Sequence, residues 1–287
     1  MSKPLIIDYF LYNGEPIVEF RLDYLNSSVD YYVLIESWYT HSGIKKPELY
    51  YNINKTIFDK YKDKLIVIIL EKFPDRYNDI DEIKRVFKEE IPENISDSWL
   101  RETYNRNYAQ EIILERFKQP LIIFVCDVDE IPNKNFIPNI SSEYNNLHNG
   151  VHIEMISLLY NFKWKQSNMW YHPFIITDIG TSKLSYSHTR LNFVNYIKNC
   201  GWHISYCFTV NDIIRKFESF AHTELDKPEY KDKKFILTCM LTGRSLLSLD
   251  KQDVLHLTET NELPENWQLF QRKLDRLLFE NEYPNIK

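Results

Sequence analysis

Residues 121–132 read LIIFVCDVDEIP. The first six are apolar, with β-branched Ile122, Ile123 and Val125, and they run directly into Asp127, Asp129 and Glu130. Pro120 and Pro132 bound the segment. A short apolar run of this kind fits a strand buried on both faces, as in a parallel or mixed α/β sheet. The acidic residues then fall at the strand's carboxyl end, where open α/β sheets place their ligands. Three carboxylates held this close repel one another unless a cation or a proton offsets them. Hard divalent cations such as Mg²⁺ or Mn²⁺ take oxygen ligands and are commonly shared with substrate phosphates. One reading of DVD is therefore an Asp-x-Asp site for a metal and a diphosphate. The other is a solvated acidic turn that caps the next helix.

Upstream of this run, residues 4–12 (PLIIDYFLY) predict a first strand. Residues 15–26 predict a helix that offers Ile17, Phe20, Leu22, Tyr24 and Leu25 for burial, with Pro16 in its first turn. Strands follow at 30–36 and 65–70, with a helix at 54–62 between them. This alternation argues for a Rossmann-like half with parallel strands. Residues 71–97 read as charged and irregular, and a long helix is expected from Ser98 to Phe117, capped by Ser96 or Asp97. Downstream, the pattern predicts strands at 151–162, 170–177 and 203–209, and helices at 211–222, 233–249 and 267–279. No internal repeat or low-complexity linker interrupts the chain. The expectation is one continuous α/β domain on a central mixed, mostly parallel sheet. Residues 1–132 would form its nucleotide-binding half and residues 133–287 its acceptor-side half.

Composition narrows the function by exclusion. The formal net charge of −6 argues against a nucleic-acid or anionic-membrane binder. Cys126, Cys200, Cys207 and Cys239 are scattered and form no CxxC pair, so neither a zinc site nor a redox motif is indicated. With only six glycines, the chain contains no GxGxxG or GxxxxGK[ST] phosphate cradle. The amino terminus lacks a signal-peptide layout, and no run approaches a membrane span in length. A soluble, cytoplasmic chain is the expectation.

A second concentration of reactive groups lies at 201–224, GWHISYCFTVNDIIRKFESFAHTE. His203, His222 and Glu224 are candidate ligands or bases, and Lys216 is a candidate phosphate contact. Each has a plainer reading: a hydrogen-bonded structural histidine, a His favoured by a helix dipole, a solvated lysine. Trp164, between Lys163 and Lys165, offers a sugar platform or simply covers a sheet edge.

Taken in order, FLYNGEPIVEFRLDYL, VDYYVLIES with THSG and KP, DVDEIP, LYNFKWKQ and GWHISYCFT with its downstream Lys resemble family 17 glycosyltransferases over roughly residues 8–280. That resemblance implies an inverting transferase of the GT-A type that uses a nucleotide sugar, UDP-GlcNAc in the characterised activity, and a divalent metal. Asp127 and Asp129 match the family's acidic motif, Gly201, Trp202 and His203 match its GWH, and Lys216 matches a basic position after it. The expected ligands of Mn²⁺ or Mg²⁺ are then Asp127, Asp129 and His203. Lys216, Lys165, Trp164 and Trp202 are the expected donor contacts. An inverting transfer needs one base near the acceptor hydroxyl, for which Glu224, Glu218 and Asp178 are candidates, Glu224 being favoured for its place near GWH. The family's animal members carry a signal anchor and stem that this sequence lacks, so a microbial or viral glycan pathway is expected. Two other classes stay open: a metal-dependent DxD phosphatase, whose motif usually continues to Thr or Val where this chain has Ile131, and a non-catalytic glycan-binding module.

Overall fold

In the computed structural model, residues 3–192, 195–207, 209–247 and 254–282 are described, with side chains as far as residue 277. Twelve strands lie in this part of the chain: β1 (Leu5–Leu11), β2 (Tyr31–Ser37), β3 (Leu65–Leu70), β4 (Leu121–Asp127), β5 (Glu130–Pro132), β6 (Val151–Ile153), β7 (Ile156–Leu159), β8 (Trp164–Lys165), β9 (Phe174–Thr177), β10 (Tyr196–Ile197), β11 (Gly201–Ser205) and β12 (His256–Leu257). They form a seven-stranded sheet of order β10-β6-β9-β4-β1-β2-β3 and a five-stranded sheet of order β12-β8-β7-β11-β5. In the larger sheet β1, β2, β3 and β4 are parallel, and β9 pairs antiparallel with β4. The α/β class and the mixed sheet agree with the sequence.

Strand β4 lies inside the sheet, between β1 and β9, and the side chains of Leu121 to Cys126 are fully buried. Their alternation explains why the run is apolar throughout. Ile122, Phe124 and Cys126 join one core with Val18, Leu22 and Leu25 of the helix Val18–Leu25. Leu121, Ile123 and Val125 join the opposite core with Ala109 and Ile113 of the long helix Asp97–Arg116. Ser96 caps that long helix by accepting a hydrogen bond from the Trp99 amide. Burying each large aliphatic side chain contributes about 1.5–3 kcal/mol, so this strand is an anchor on which a polar turn can be held rigid.

Several boundaries differ from expectation. Residues 71–97 contain a helix, Ile80–Phe87, whose Ile83, Val86 and Phe87 are buried among charged neighbours that hide the pattern. The run 151–162 is two strands, β6 and β7, which belong to different sheets. The expected helix at 54–62 is a chain of short turns, Tyr50–Ile53, Lys55–Phe58 and Asp59–Tyr61. The expected helix at 233–249 ends at Thr242, where Gly243 adopts a left-handed φ of 70°; residues 248 and 249 lie outside the described residues, as does Phe208 of the expected 203–209 strand. No helix among the described residues is long and apolar enough to cross a membrane.

Candidate active site

The parallel strands β1, β2 and β4 all point their carboxyl ends at one cleft of about 660 Å³. Asn13 and Glu15 come from the turn after β1, Thr40, His41 and Lys46 from the loop after β2, and Asp127 and Asp129 from the end of β4. Trp170, His172, Arg190, His203 and Lys216 line the cleft as well. The two motifs singled out in the sequence meet here. β5 of DVDEIP and β11 of GWH pair antiparallel, Gly201 opposite Pro132 and His203 opposite Glu130. The approach is close enough that a Cβ on Gly201 would lie 2.3 Å from the Ile131 carbonyl oxygen. Glycine is therefore what allows the strands to join here.

The acidic turn is braced from beneath. Arg21, fully buried on the helix Val18–Leu25, makes a bidentate pair with Asp8 of β1 at 2.8 and 2.5 Å. Its Nη1 donates to the carbonyls of Asp127, Val128 and Glu130 at 3.0, 3.3 and 2.6 Å. One guanidinium thus fixes the backbone of the turn to the core, the bidentate geometry that favours arginine at such positions.

The mutual repulsion of the three carboxylates is answered by the protein's own cations. Asp127 receives Arg106 Nη1 on one oxygen at 2.6 Å and Arg190 Nη2 on the other at 2.7 Å. Burial would raise its pKa, but Arg106 and Arg190 overcome this and hold the carboxyl well below the usual carboxylate range. Glu130 is fully buried and accepts from both Arg190 nitrogens, from Trp170 Nε1 at 2.6 Å and from the Asp127 amide at 2.6 Å. It closes the turn rather than facing the cleft. Asp129 accepts from Lys216 Nζ at 3.0 Å. Burial pulls the Lys216 ammonium down, and the Asp129 charge more than offsets this, so its pKa lies above the ordinary value.

His203 Nε2 faces Asp129 Oδ1 across 3.8 Å, its ring stacked on Trp170 at 4.1 Å between centroids. The gap is too wide for a hydrogen bond. It does suit two ligands of one cation, each at about 2.0–2.2 Å. Among the described residues no group of three or more His, Cys, Asp or Glu side chains is placed to hold a metal. The expected trio of Asp127, Asp129 and His203 is therefore not a ready-made ligand set: the Asp127 oxygens are engaged by arginines, leaving the Asp129–His203 edge. Burial lowers the His203 pKa, which keeps its ring neutral near pH 7, the form that binds metals.

The other expected site residues scatter. Lys216 lines the cleft. Trp202 points away from it, into the core beside Tyr24, with its Nε1 donating to the Glu262 carbonyl. Lys165 pairs with Glu262, and Trp164, on β8 between β12 and β7, donates to the Met240 carbonyl and packs over Gly243. Glu224 is exposed and hydrogen-bonds His222, while Glu218 pairs with Lys231. Asp178 accepts from the Leu121 amide and Tyr144, which puts it at the amino end of β4. At about 3.3 Å per residue, that is roughly 20 Å from the acidic turn; Glu218 and Glu224 are not themselves among the residues lining the cleft, although their neighbours Ser219, His222 and Leu225 are. Arg106, Arg190, Trp170 and His172 had not been singled out. Their signal was only a polar residue at a helix position or an aromatic in a loop, which nothing local marks as functional.

Residues 2–253 match the family described as Glycosyltransferase family 17. The chain is 22% identical over 262 residues to the "Beta-1,4-mannosyl-glycoprotein 4-beta-N-acetylglucosaminyltransferase" of Rattus norvegicus, covering 79% of this chain and 45% of that protein. It is 22% identical over 250 residues to the Homo sapiens protein of the same description, covering 76% and 43%. The chain thus spans less than half the length of these relatives.

Proposed function

This chain belongs to glycosyltransferase family 17, and we propose that it transfers GlcNAc from UDP-GlcNAc to a glycan hydroxyl with inversion, on a GT-A-type fold and with a divalent cation. The observation that carries the reading is the joining of DVDEIP and GWH as neighbouring strands, which brings Asp129, His203 and Lys216 to one cleft at the ends of the parallel strands. The order β3-β2-β1-β4 supports a nucleotide-binding arrangement, with ligands outside the strands' carboxyl ends. The β1 and β2 loops would receive the nucleoside and the Trp170 side the sugar and acceptor. Asp129 and His203 would hold Mn²⁺ or Mg²⁺ together with the donor diphosphate. When bound there, the cation supplies charge that stabilises the departing UDP. Lys216 adds a positive charge on the same side, and Arg106 and Arg190 keep Asp127 ionised and fixed.

The DxD phosphatase reading requires the first aspartate to be a free nucleophile. Asp127 is clamped on both oxygens, which disfavours that alternative. The test is UDP release and product formation with a panel of nucleotide sugars and glycan acceptors, with Mn²⁺ and with chelator. Metal-dependent turnover of UDP-GlcNAc supports the proposal. Binding of free glycan without nucleotide, and no turnover of any donor, would favour a binding module instead.

A further inference from the structure

An acceptor hydroxyl must lose a proton as it attacks, so an inverting site needs a lone pair facing the cleft. The cleft's carboxylates are largely committed to cations. Asp127 holds Arg106 and Arg190, Glu102 pairs with Arg106, and Asp129 pairs with Lys216, while Glu15 is in no ion pair among the described residues and accepts from the Asn13 amide at 2.7 Å. His41 Nε2 is engaged by the Asn105 side-chain amide at 3.2 Å. His172 differs. Its Nδ1 lies 3.3 Å from the carbonyl oxygen of Arg190. A carbonyl only accepts, so Nδ1 carries the proton and the lone pair resides on Nε2. The ring lines the cleft and sits edge-on to Trp170 at 4.5 Å. The other partners of that indole are His203, stacked on it, and Glu130, which accepts its N–H. One tryptophan therefore positions an imidazole beside Asp129 and a second imidazole in the same cleft.

We propose that His172 is the general base of the transfer, taking the acceptor proton on Nε2; the assignment rests on the transferase reading above. As the acceptor oxygen forms its bond to the anomeric carbon, its proton passes to Nε2. The bond from that carbon to the phosphate oxygen breaks, and its electron pair leaves with UDP. The imidazolium then returns the proton to solvent. Facing the ring are Arg190 from the helix Tyr186–Leu191, Asp127 and Glu130 from the acidic turn, and His152 of β6. Burial, then Arg190, lowers the His172 pKa below 6.5, so the basic form prevails at pH 7.

The test compares kcat against pH, from about pH 5 to 9, for the wild type, His172→Gln and His172→Ala, with UDP-GlcNAc affinity measured by calorimetry. A general base contributes about 10²–10⁴-fold. The expected result is a kcat loss in that range, unchanged donor Kd, loss of the acid limb, and partial rescue of His172→Ala by imidazole. A His172→Gln enzyme within about threefold of wild type that keeps its acid limb overturns the assignment. So does an acid limb that disappears only in Glu15→Gln, which would give the role to the half-buried carboxyl that lines the cleft with Lys216. If neither variant binds donor, the wild-type profile serves: a fall in acid with its midpoint below 6.5 supports the base, and a flat profile overturns it. A wild type that transfers sugar from no nucleotide donor defeats the transferase reading itself, an outcome distinct from these.

Discussion

Replacing Arg190 with Met tests the claim that the acidic turn is held by arginines. Arg190 is only 8% exposed, and its guanidinium serves both the fully buried Glu130 and Asp127. Methionine keeps much of the aliphatic stem and deletes the charge. Removing one partner of a buried pair costs about 3–5 kcal/mol, because the other charge is left uncompensated. Glu130 would retain the Trp170 and Asp127 N–H donors, so the lower end, about 3 kcal/mol, is expected. At about 2–4 °C per kcal/mol, Tm should fall by about 6–12 °C. The pH dependence has a definite sign. The depressed Asp127 pKa contributes stability that is fully present above the ordinary value of 3.8 and is lost as pH falls through the folded value. With only Arg106 left on Asp127, the variant has less of it to lose. The gap between wild type and variant should therefore narrow in acid. Guanidinium melts followed by far-UV circular dichroism at about pH 7 and about pH 2.5, below the ordinary carboxylate value, measure this directly. A gap under about 1 kcal/mol at pH 7, or one that widens in acid, would refute the reasoning. The double variant with Glu130→Gln should recover part of the loss, since contacting pairs couple by about 0.5–3 kcal/mol.

Gly201→Ala should lower Tm by several degrees, because its Cβ would meet the Ile131 carbonyl oxygen at 2.3 Å and push β11 off β5; a melt equal to wild type would show that the strand junction yields freely. Trp170→Phe keeps an aromatic face but removes a donor from buried Glu130, a loss of about 1–3 kcal/mol by denaturant melt. An unchanged midpoint would mean that the indole N–H does not brace the turn.

The core strand was legible because burial on both faces leaves a continuous apolar run, and the turn because three acids follow it directly. Both lie within twelve consecutive residues. GWH was legible as a motif, but its pairing with DVDEIP was not, since a register between segments some 70 residues apart leaves no periodic trace. What offsets the charge of Asp127 was not legible for the same reason. The sequence places no cation next to Asp127, so a metal was the natural candidate. Folding instead brings Arg106 from 21 residues upstream and Arg190 from 63 residues downstream. Trp202 was expected among the donor contacts because it stands in the GWH motif. Alternation along β11 sends the two to opposite faces, one into the core and one into the cleft.

The most direct experiment is the initial rate of sugar transfer from UDP-GlcNAc against Mn²⁺ concentration, for wild type and Asp129→Asn, each with a thermal melt. Asn keeps the shape of the side chain and removes the negative charge beside His203 and Lys216. The expected outcome is saturable metal dependence in the wild type and loss of metal-dependent transfer in a variant that still melts as a folded protein. A folded Asp129→Asn enzyme with near-normal rate and unchanged metal dependence would contradict the account.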